Sequence, residues 1–195
     1  MIKISVDELI KLPKSNFSGK TICFITDTVW GIGCVLDDNV QTGINKIYEL
    51  KKRSFDKPLA VLVSNISDIL NHVEITSNYI YDLMKLWPGA LTLIFNKSDE
   101  YYDLVTSTNT IGIRIPNSKI ALKLLNYLGP VVTTSINISG EESLNDPKQI
   151  EDRFSDHIDY LVTDVHELSK TSSTVVDVTT NIVKVLRQGD IKINV

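Results

Sequence analysis

The order of apolar and polar segments along the chain predicts short buried strands that alternate with helices. Apolar, β-branched runs predict strands at residues 21–25, 34–36, 59–63, 91–95, 111–115, 131–134 and 160–162. Apolar residues at helical spacing, with capping and stop signals, predict helices from Ser5 to Pro13, from residues 37–39 to Lys51, and at residues 66–70, 77–87 and 119–128. Residues 174–178 and 182–186 are predicted to pair as a hairpin. This order predicts an α/β or α+β fold with a mixed sheet.

The composition predicts one domain, residues 1–195, with reduced cysteines. The hydrophobic fraction of 43% is enough for a sizeable core. Cys23 and Cys34 lie in apolar surroundings and are expected to be reduced core thiols. The first eight residues carry acids where a signal peptide needs a long apolar region, and no stretch approaches the ~20 apolar residues of a membrane span. We therefore expect a cytoplasmic protein with no membrane partner.

A cluster of cations lies where a predicted helix ends and a predicted strand begins. Lys51, Lys52, Arg53 and Lys57 precede Pro58 in a chain whose net charge is −4. Cations at a helix C-terminus are mildly favourable, and a charge run is often only a solvated surface. Convergent donors also suit an anion such as a polyphosphate. Because the whole chain is acidic, any anion site must be local.

Polar loops and two arginines in apolar strands add to this picture. Four loops carry groups suited to a site: residues 26–28 in the hydroxyl-rich loop 26–33, residues 53–57, 135–140 and 172–174. Arg114 and Arg187 lie in or beside apolar strands, and a buried arginine is rare unless it is paired. Each is therefore either in a salt bridge or facing a ligand. Together with the cation cluster they favour an anionic ligand.

Common catalytic signatures are missing from the sequence. It has no P-loop, no G-x-G-x-x-G after a strand, no C-x-x-C pair and no H-E-x-x-H, so no metal site is predicted. His72, His157 and His166 lie in polar, acidic stretches and receive no role. Serine-rich loops without a nearby histidine disfavour a Ser-His-Asp hydrolase.

Seven motifs together resemble the YrdC/TsaC family of threonylcarbamoyl-AMP synthases, in the family's order, from about residue 20 to residue 190. They are Thr26-Asp27-Thr28-Val29-Trp30-Gly31, Lys51-x-Arg53-x-x-x-Lys57-Pro58-Leu59, Pro88-Gly89-Ala90-Leu91-Thr92, Ile113-Arg114-Ile115-Pro116, Thr134-Ser135-Ile136-Asn137-Ile138-Ser139-Gly140, Ser173-Thr174-Val175-Val176-Asp177 and Leu186-Arg187-Gln188-Gly189. The K-x-R and S-x-N pair is specific, whereas any single motif would be weak. The chain resembles the short bacterial type.

The resemblance implies a twisted mixed sheet with flanking helices around a concave, positively charged cavity. It implies a nucleotidyltransferase that forms threonylcarbamoyl-adenylate and pyrophosphate from L-threonine, bicarbonate and ATP, with Mg²⁺ carried on ATP. The product would serve in modifying the adenosine next to the anticodon of certain tRNAs. Expected partners are proteins of the TsaD, TsaB and TsaE kind. Contact with tRNA would be indirect, and weak direct binding of RNA is left open.

The resemblance also implies roles for individual residues. L-Threonine would be held by Thr28, Arg114, Thr133 and Ser173. ATP would be held by Arg53, Lys57, Thr110, Ser135, Ser143 and Arg187. Lys51 and Asn137 would lie beside them, and Lys51, Arg53, Ser135 and Asn137 would position the reactants; no general base is named. Leu62 stands where longer members carry a threonine-contacting histidine. The alternative function is a non-catalytic module that binds RNA or a nucleotide.

Overall fold

Ten strands form one mixed sheet in the computed structural model, which describes residues 1–52 and 58–193. The strands are β1 (Ile2–Ile4), β2 (Ile22–Ile25), β3 (Trp30–Val35), β4 (Ala60–Leu62), β5 (Leu91–Asn96), β6 (Thr110–Arg114), β7 (Val131–Ser135), β8 (Tyr160–Val162), β9 (Thr174–Asp177) and β10 (Lys184–Arg187). Their order across the sheet is β1-β8-β2-β3-β7-β4-β6-β5-β9-β10. Pairs β1–β8, β2–β8, β4–β6 and β5–β9 are parallel and the other pairs antiparallel. The predicted mixed α/β class is confirmed.

Helices cover the two faces of this sheet unequally. They are α1 (Val6–Leu9), α2 (Val40–Lys51), α3 (Tyr79–Met84), α4 (Lys119–Leu128) and α5 (Pro147–Phe154). Short 3-10 segments lie at Lys14–Phe17, Ile66–Asp68 and Glu100–Tyr102. Apolar side chains of α2, α3 and α5 pack on the first face, in the larger core. Those of α1 and α4 pack on the second face, in a smaller core.

The smaller core covers only part of the second face. Its strand residues come from β2, β8 and the nearby ends of β4 and β7. Along β4, Val61 belongs to the larger core and Leu62 to the smaller one, because successive side chains point to opposite faces. The part of the second face formed by β5, β6 and β9 lies outside this core, and there the sheet can form a cavity.

Several sequence predictions are corrected by the structure. The second strand begins at Trp30, not at Cys34, so the predicted loop 26–33 is half strand. Gly33 within this strand is required by packing, because a Cβ there would lie 2.6 Å from Cγ1 of Val131. The helices predicted at residues 66–70 and 77–87 are shorter in the structure, where they span Ile66–Asp68 and Tyr79–Met84. The sequence does not predict β1 or α5. Asn39 begins α2 without a side-chain cap, because its side chain donates to Ser18 instead.

Other predictions are confirmed. Ser5 caps α1 in a reciprocal arrangement with Glu8. Strands β9 and β10 form the predicted antiparallel hairpin. Both cysteines are buried free thiols. Over the described parts of the chain, none of the helices has both the length and the apolar character needed to cross a membrane.

Candidate functional site

A cavity of about 310 Å³ opens on the second face of the sheet. Its walls come from strands β3, β4, β5, β6, β7, β9 and β10 and from the loops beside them. The lining residues are Thr26, Thr28, Val29, Gly31, Pro58, Leu59, Ala60, Leu62, Thr92, Ile94, Thr110, Gly112, Arg114, Thr133, Thr134, Ser135, Ser172, Ser173, Val175 and Arg187.

Small side chains explain why the sheet is concave at this point. Gly31, Ala60, Gly112 and Thr133 lie on four consecutive strands of the sheet. Register pairs Ala60 with both Gly112 and Thr133, so these three residues lie side by side on one face. A sheet face without large side chains leaves space above it, whereas the opposite face of the same strands fills the larger core.

Arg114 lies at the end of β6 with its guanidinium almost enclosed. The residue is 6% exposed, and burial lowers the pKa of its guanidinium while the charge of Asp27 opposes that shift. Nε donates to the carbonyl oxygen of Gly89 at 2.9 Å, Nη1 to the hydroxyl of Thr28 at 2.9 Å and Nη2 to a carboxylate oxygen of Asp27 at 2.5 Å. Both alternatives that the sequence leaves open for Arg114 are therefore true. It forms an ion pair, and it also lines the cavity.

The loop between β2 and β3 carries both side-chain partners of Arg114. The hydroxyl of Thr26 donates to the carbonyl oxygen of Val29 at 2.7 Å and accepts from the backbone N–H of Thr28 at 3.2 Å. Backbone N–H groups of Ser169 and Lys170 donate to the carbonyl oxygens of Asp27 and Thr28. Hydrogen bonds within the loop and from the backbone of Ser169 and Lys170 therefore fix the loop that positions Arg114.

A second arginine, Arg187, also lines the cavity. Arg187 on β10 donates from Nε to the carbonyl oxygen of Ser173 at 3.0 Å and from Nη2 to its hydroxyl at 3.2 Å. The hydroxyl of Ser173 also lies 2.8 Å from that of Thr92. Partial burial lowers the pKa of Arg187, and its charge contributes to lowering the pKa of Arg114.

Lys51 lies beneath the cavity rather than in it. The residue is 2% exposed, and its Nζ donates to the carbonyl oxygens of Ser135 and Asn137 and to Oδ1 of Asn137, at 2.7, 3.1 and 2.7 Å. The hydroxyl of Ser135 donates to the same Oδ1 at 2.7 Å. The backbone N–H of Ser139 donates to the carbonyl oxygen of Lys51. The end of α2 is thereby tied to the loop that follows β7.

Most residues that the sequence assigns to a site come together in this one cavity. Those that line it are Thr28, Thr110, Arg114, Thr133, Ser135, Ser173 and Arg187. Lys51 and Asn137 are buried directly below Ser135. Ser143 lies apart, in the loop before α5 and outside the lining. Arg53 and Lys57 lie outside the described residues. Their individual roles stay predictions.

Sequence reasoning missed three features of the site. Asp27 belongs to the loop 26–28 that the sequence assigns to a site, but its pairing with Arg114 depends on contact between residues 87 positions apart. Thr92 was not assigned to the site, although its strand was predicted. The floor residues Ala60 and Gly112 lie within strands that the sequence predicts, but their pairing depends on the order of strands in the sheet. In residues 1–52 and 58–193, no three His, Cys, Asp or Glu side chains group as metal ligands.

The chain is similar to proteins of one family. The model of the Sua5_yciO_yrdC family, described as telomere recombination, matches residues 17–189. A putative threonylcarbamoyl-AMP synthase of Methanocaldococcus jannaschii is 31% identical over 184 residues, 93% of this chain and 86% of that protein. A threonylcarbamoyl-AMP synthase of Wigglesworthia glossinidia brevipalpis is 29% identical over 155 residues, 77% of this chain and 79% of that protein.

Solved structures give the same result. The crystal structure of P. abyssi Sua5 complexed with L-threonine superposes with a TM-score of 0.85 and 29% identity. The match covers 97% of this chain and 58% of that one, so this chain spans little more than half of Sua5. E. coli YciO superposes with a TM-score of 0.81 and 25% identity, covering 96% of this chain and 93% of that one.

Proposed function

The chain belongs to the Sua5/YciO/YrdC family, and we propose that it is a threonylcarbamoyl-AMP synthase. The reaction joins L-threonine, bicarbonate or CO₂, and ATP into threonylcarbamoyl-adenylate and releases pyrophosphate. This makes the protein a nucleotidyltransferase. The observation that carries the proposal is Arg114, a buried arginine that lines the cavity and donates to the hydroxyl of Thr28.

Arg114 suits the carboxylate of an amino acid. A guanidinium has five N–H donors, and three of them go to Gly89, Thr28 and Asp27. The remaining two comprise one on each terminal nitrogen, and two donors on neighbouring nitrogens match the two oxygens of a carboxylate. Hydroxyls of Thr28 and Thr133 line the same cavity and can hydrogen-bond to the threonine side chain.

We assign Arg187 to ATP, although its guanidinium donates to Ser173, which we assign to threonine, so the two substrates would meet at this contact. Thr110 and Ser135 line the cavity as well, on strands β6 and β7. Arg53 and Lys57, which follow α2 in the sequence, are proposed to complete the ATP site. Mg²⁺ would arrive on the triphosphate, because this ion usually binds proteins through a few ligands and the substrate phosphates.

The reaction depends on positioning of the substrates and on charge neutralisation more than on covalent catalysis by the protein. The ammonium of threonine first gives a proton to solvent, and the neutral amine then attacks the carbon of CO₂ and gives a second proton to solvent, which forms a carbamate. A carbamate oxygen then attacks the α-phosphorus of ATP, and pyrophosphate leaves. Cations beside the phosphates neutralise the charge of the leaving group, and holding both substrates in one cavity removes most of the entropic cost. A cavity that excludes water also protects the carbamate.

The product is a mixed anhydride, so a second enzyme must transfer its threonylcarbamoyl group. We propose that the acceptor is the adenosine next to the anticodon of certain tRNAs, with TsaD-, TsaB- and TsaE-type proteins in that later step. Direct binding of RNA to this chain is not required for the first step.

The test is to incubate the purified protein with ATP, Mg²⁺, ¹³C-bicarbonate and L-threonine and to read the products by mass. We expect an adenylate that carries one labelled carbon, and pyrophosphate in equal amount. Omitting threonine should abolish both. Nucleotide binding without threonine-dependent pyrophosphate would reject the enzyme in favour of a nucleotide-binding module. Binding of tRNA alone, again without pyrophosphate, would favour an RNA-binding module.

A further inference from the structure

The positive charge of Arg114 is balanced by the carboxylate of Asp27 in a largely buried position. Asp27 lies 2.5 Å from Nη2 of Arg114, although the side chains of both residues are largely buried, at 16% and 7% exposed. Arg187 and Asp190 also act on the charge of Arg114, one with each sign. The cavity at Arg114 therefore contains a cation whose charge is already offset. A site built only to attract anions would leave that cation uncompensated.

We propose that Asp27 is a specificity-determining residue, which makes the cavity at Arg114 select a zwitterionic amino acid over simple anions. The proposal rests on the function proposed above and assigns to Asp27 a role that acts through Arg114. It distinguishes the Arg114–Asp27 pair, whose charges balance, from Arg187, a second cation of the same cavity.

The physical argument follows from where the charges of an α-amino acid lie. Its carboxylate and ammonium are attached to one carbon, so a carboxylate bound to Arg114 brings the ammonium close to Asp27. A phosphate or a plain carboxylate at the same position is attracted by Arg114 but repelled by Asp27. Low solvent exposure strengthens both interactions. Asp27 therefore penalises anions that bring no ammonium, which is specificity gained by repulsion as well as by attraction.

Such selection matters because both substrates carry anionic groups. Two uncompensated arginines in one cavity would attract the phosphates of ATP at either arginine. A triphosphate bound at Arg114 would block threonine. With Asp27 in place, the phosphates are favoured at Arg187 and the amino acid at Arg114. The two substrates are then sorted before the reaction.

The variant that isolates this effect is Asp27→Asn. The amide oxygen of asparagine can still accept from Nη2 of Arg114, so the contact is kept while the charge is removed. Asp190→Asn is the matched control for charge without contact, because the charge of Asp190 acts on Arg114 while, within residues 1–52 and 58–193, the side-chain hydrogen bonds of Arg114 go to Gly89, Thr28 and Asp27. Asp82→Asn, at an exposed surface pair with Lys85, controls for the chemistry of the substitution.

The readout is the affinity for three probes, measured by calorimetry without turnover: L-threonine, 3-hydroxybutanoate and inorganic phosphate. The wild type should bind threonine at least ~100-fold more tightly than 3-hydroxybutanoate, which keeps the carboxylate and hydroxyl but lacks the ammonium. Asp27→Asn should reduce this ratio by roughly tenfold or more and should tighten phosphate, whereas Asp82→Asn should leave both unchanged. Asp190→Asn should have an intermediate effect. In turnover, Asp27→Asn should raise KM for threonine more than it lowers kcat.

An unchanged ratio in folded Asp27→Asn, or an equal effect of Asp190→Asn, would overturn the proposal. If Asp27→Asn does not fold, the affinities of the wild type alone test the proposal. Equal binding of threonine and 3-hydroxybutanoate would contradict a role for Asp27 in selection. Failure of the proposed function looks different: the wild type then forms no labelled adenylate, whatever the ratio of affinities.

Discussion

The ammonium of Lys51 lies 2.7 Å from Oδ1 of Asn137, a residue 86 positions further along the chain. The same oxygen accepts from the hydroxyl of Ser135, which lines the cavity. The buried cation thus joins the C-terminal end of α2 to the loop after β7 and fixes the cavity wall from below. The K-x-R and S-x-N motifs that stand out in the sequence meet through this bond.

Lys51→Met should therefore destabilise the protein and disorder the wall at Ser135. Methionine keeps the apolar volume but leaves the oxygens of Ser135 and Asn137 without their cationic donor, and each buried unsatisfied group costs about 1–3 kcal/mol. We expect the free energy of unfolding in urea to fall by at least ~2 kcal/mol, together with weaker ATP binding. Lys52→Met, at an exposed position next in sequence, should change stability by less than ~0.5 kcal/mol. Equal effects of the two variants would contradict the role of Lys51.

Arg114→Ala should weaken threonine binding far more than ATP binding. Loss of a buried, hydrogen-bonded charge partner costs about 2–5 kcal/mol, which is a loss of ~30-fold or more in threonine affinity, and ATP should change by less than ~3-fold. Because the single variant leaves Asp27 without its cation, Arg114→Ala with Asp27→Asn should recover much of any lost stability without recovering threonine binding.

Arg187→Ala should show the opposite order, with ATP binding weakened more than threonine binding. Calorimetric titrations of both ligands decide between these outcomes.

How far the sequence predicts this site depends on whether a feature is local. The hairpin of β9 and β10 and the helix α4 follow from nearby residues, and both are confirmed. Arg114 could be singled out because a charge in an apolar strand needs a partner. Its partner Asp27 could not be identified, because which residues meet is decided by the order of strands in the sheet. For the same reason β1, which is three residues long and pairs with β8, has no sequence signal of its own.

Gly33→Ala and Gly112→Ala should separate folding from binding. A Cβ on Gly33 would lie 2.6 Å from Cγ1 of Val131 and 2.7 Å from the carbonyl oxygen of Val132, so strand β7 would have to move. We expect a loss of about 1–3 kcal/mol in the free energy of unfolding, the usual cost of overpacking. A Cβ on Gly112 meets nothing closer than 3.5 Å, so stability should stay within ~0.5 kcal/mol. That methyl group occupies the cavity floor, however, and ligand affinity should fall although the melting temperature does not.

Asp159 should contribute a pH-dependent part of the stability. Burial raises the pKa of its carboxyl, but hydrogen bonds from Lys46 and Thr21 and the charges of Lys46 and Lys20 lower it by more, so the folded pKa lies below the ordinary value of 3.8. A carboxyl with a lowered pKa contributes stability that is present above its unfolded pKa and is lost as pH falls through the folded one. Asp159→Asn should therefore cost about 1–2 kcal/mol at pH 7 and should flatten the loss of stability below pH ~4.

The control for this prediction is Asp82→Asn, which removes a carboxylate from an exposed pair with Lys85. Surface pairs contribute little, so its stability should follow the wild type at each pH. Urea unfolding at pH 7, 4 and 3 gives the comparison. A wild-type-like pH profile in Asp159→Asn would show that the carboxylate is not the group that titrates.

The amino-acid site should discriminate valine more strongly than serine. Serine lacks one methyl group of threonine, and a hydrophobic contact discriminates such a difference by only ~10–200-fold. Valine replaces the hydroxyl by a methyl group, so the cavity hydroxyls of Thr28 and Thr133 would lose a hydrogen-bond partner, which a polar site rejects far more strongly. Leu62 adds an apolar wall beside Arg114, with which it is paired in register, and supplies no further polar contact to the substrate. Serine should then be the leading side substrate. Adenylate formation with threonine, serine and valine at matched concentrations tests the order, and use of valine as readily as serine would show that the substrate hydroxyl is not bound by these side chains.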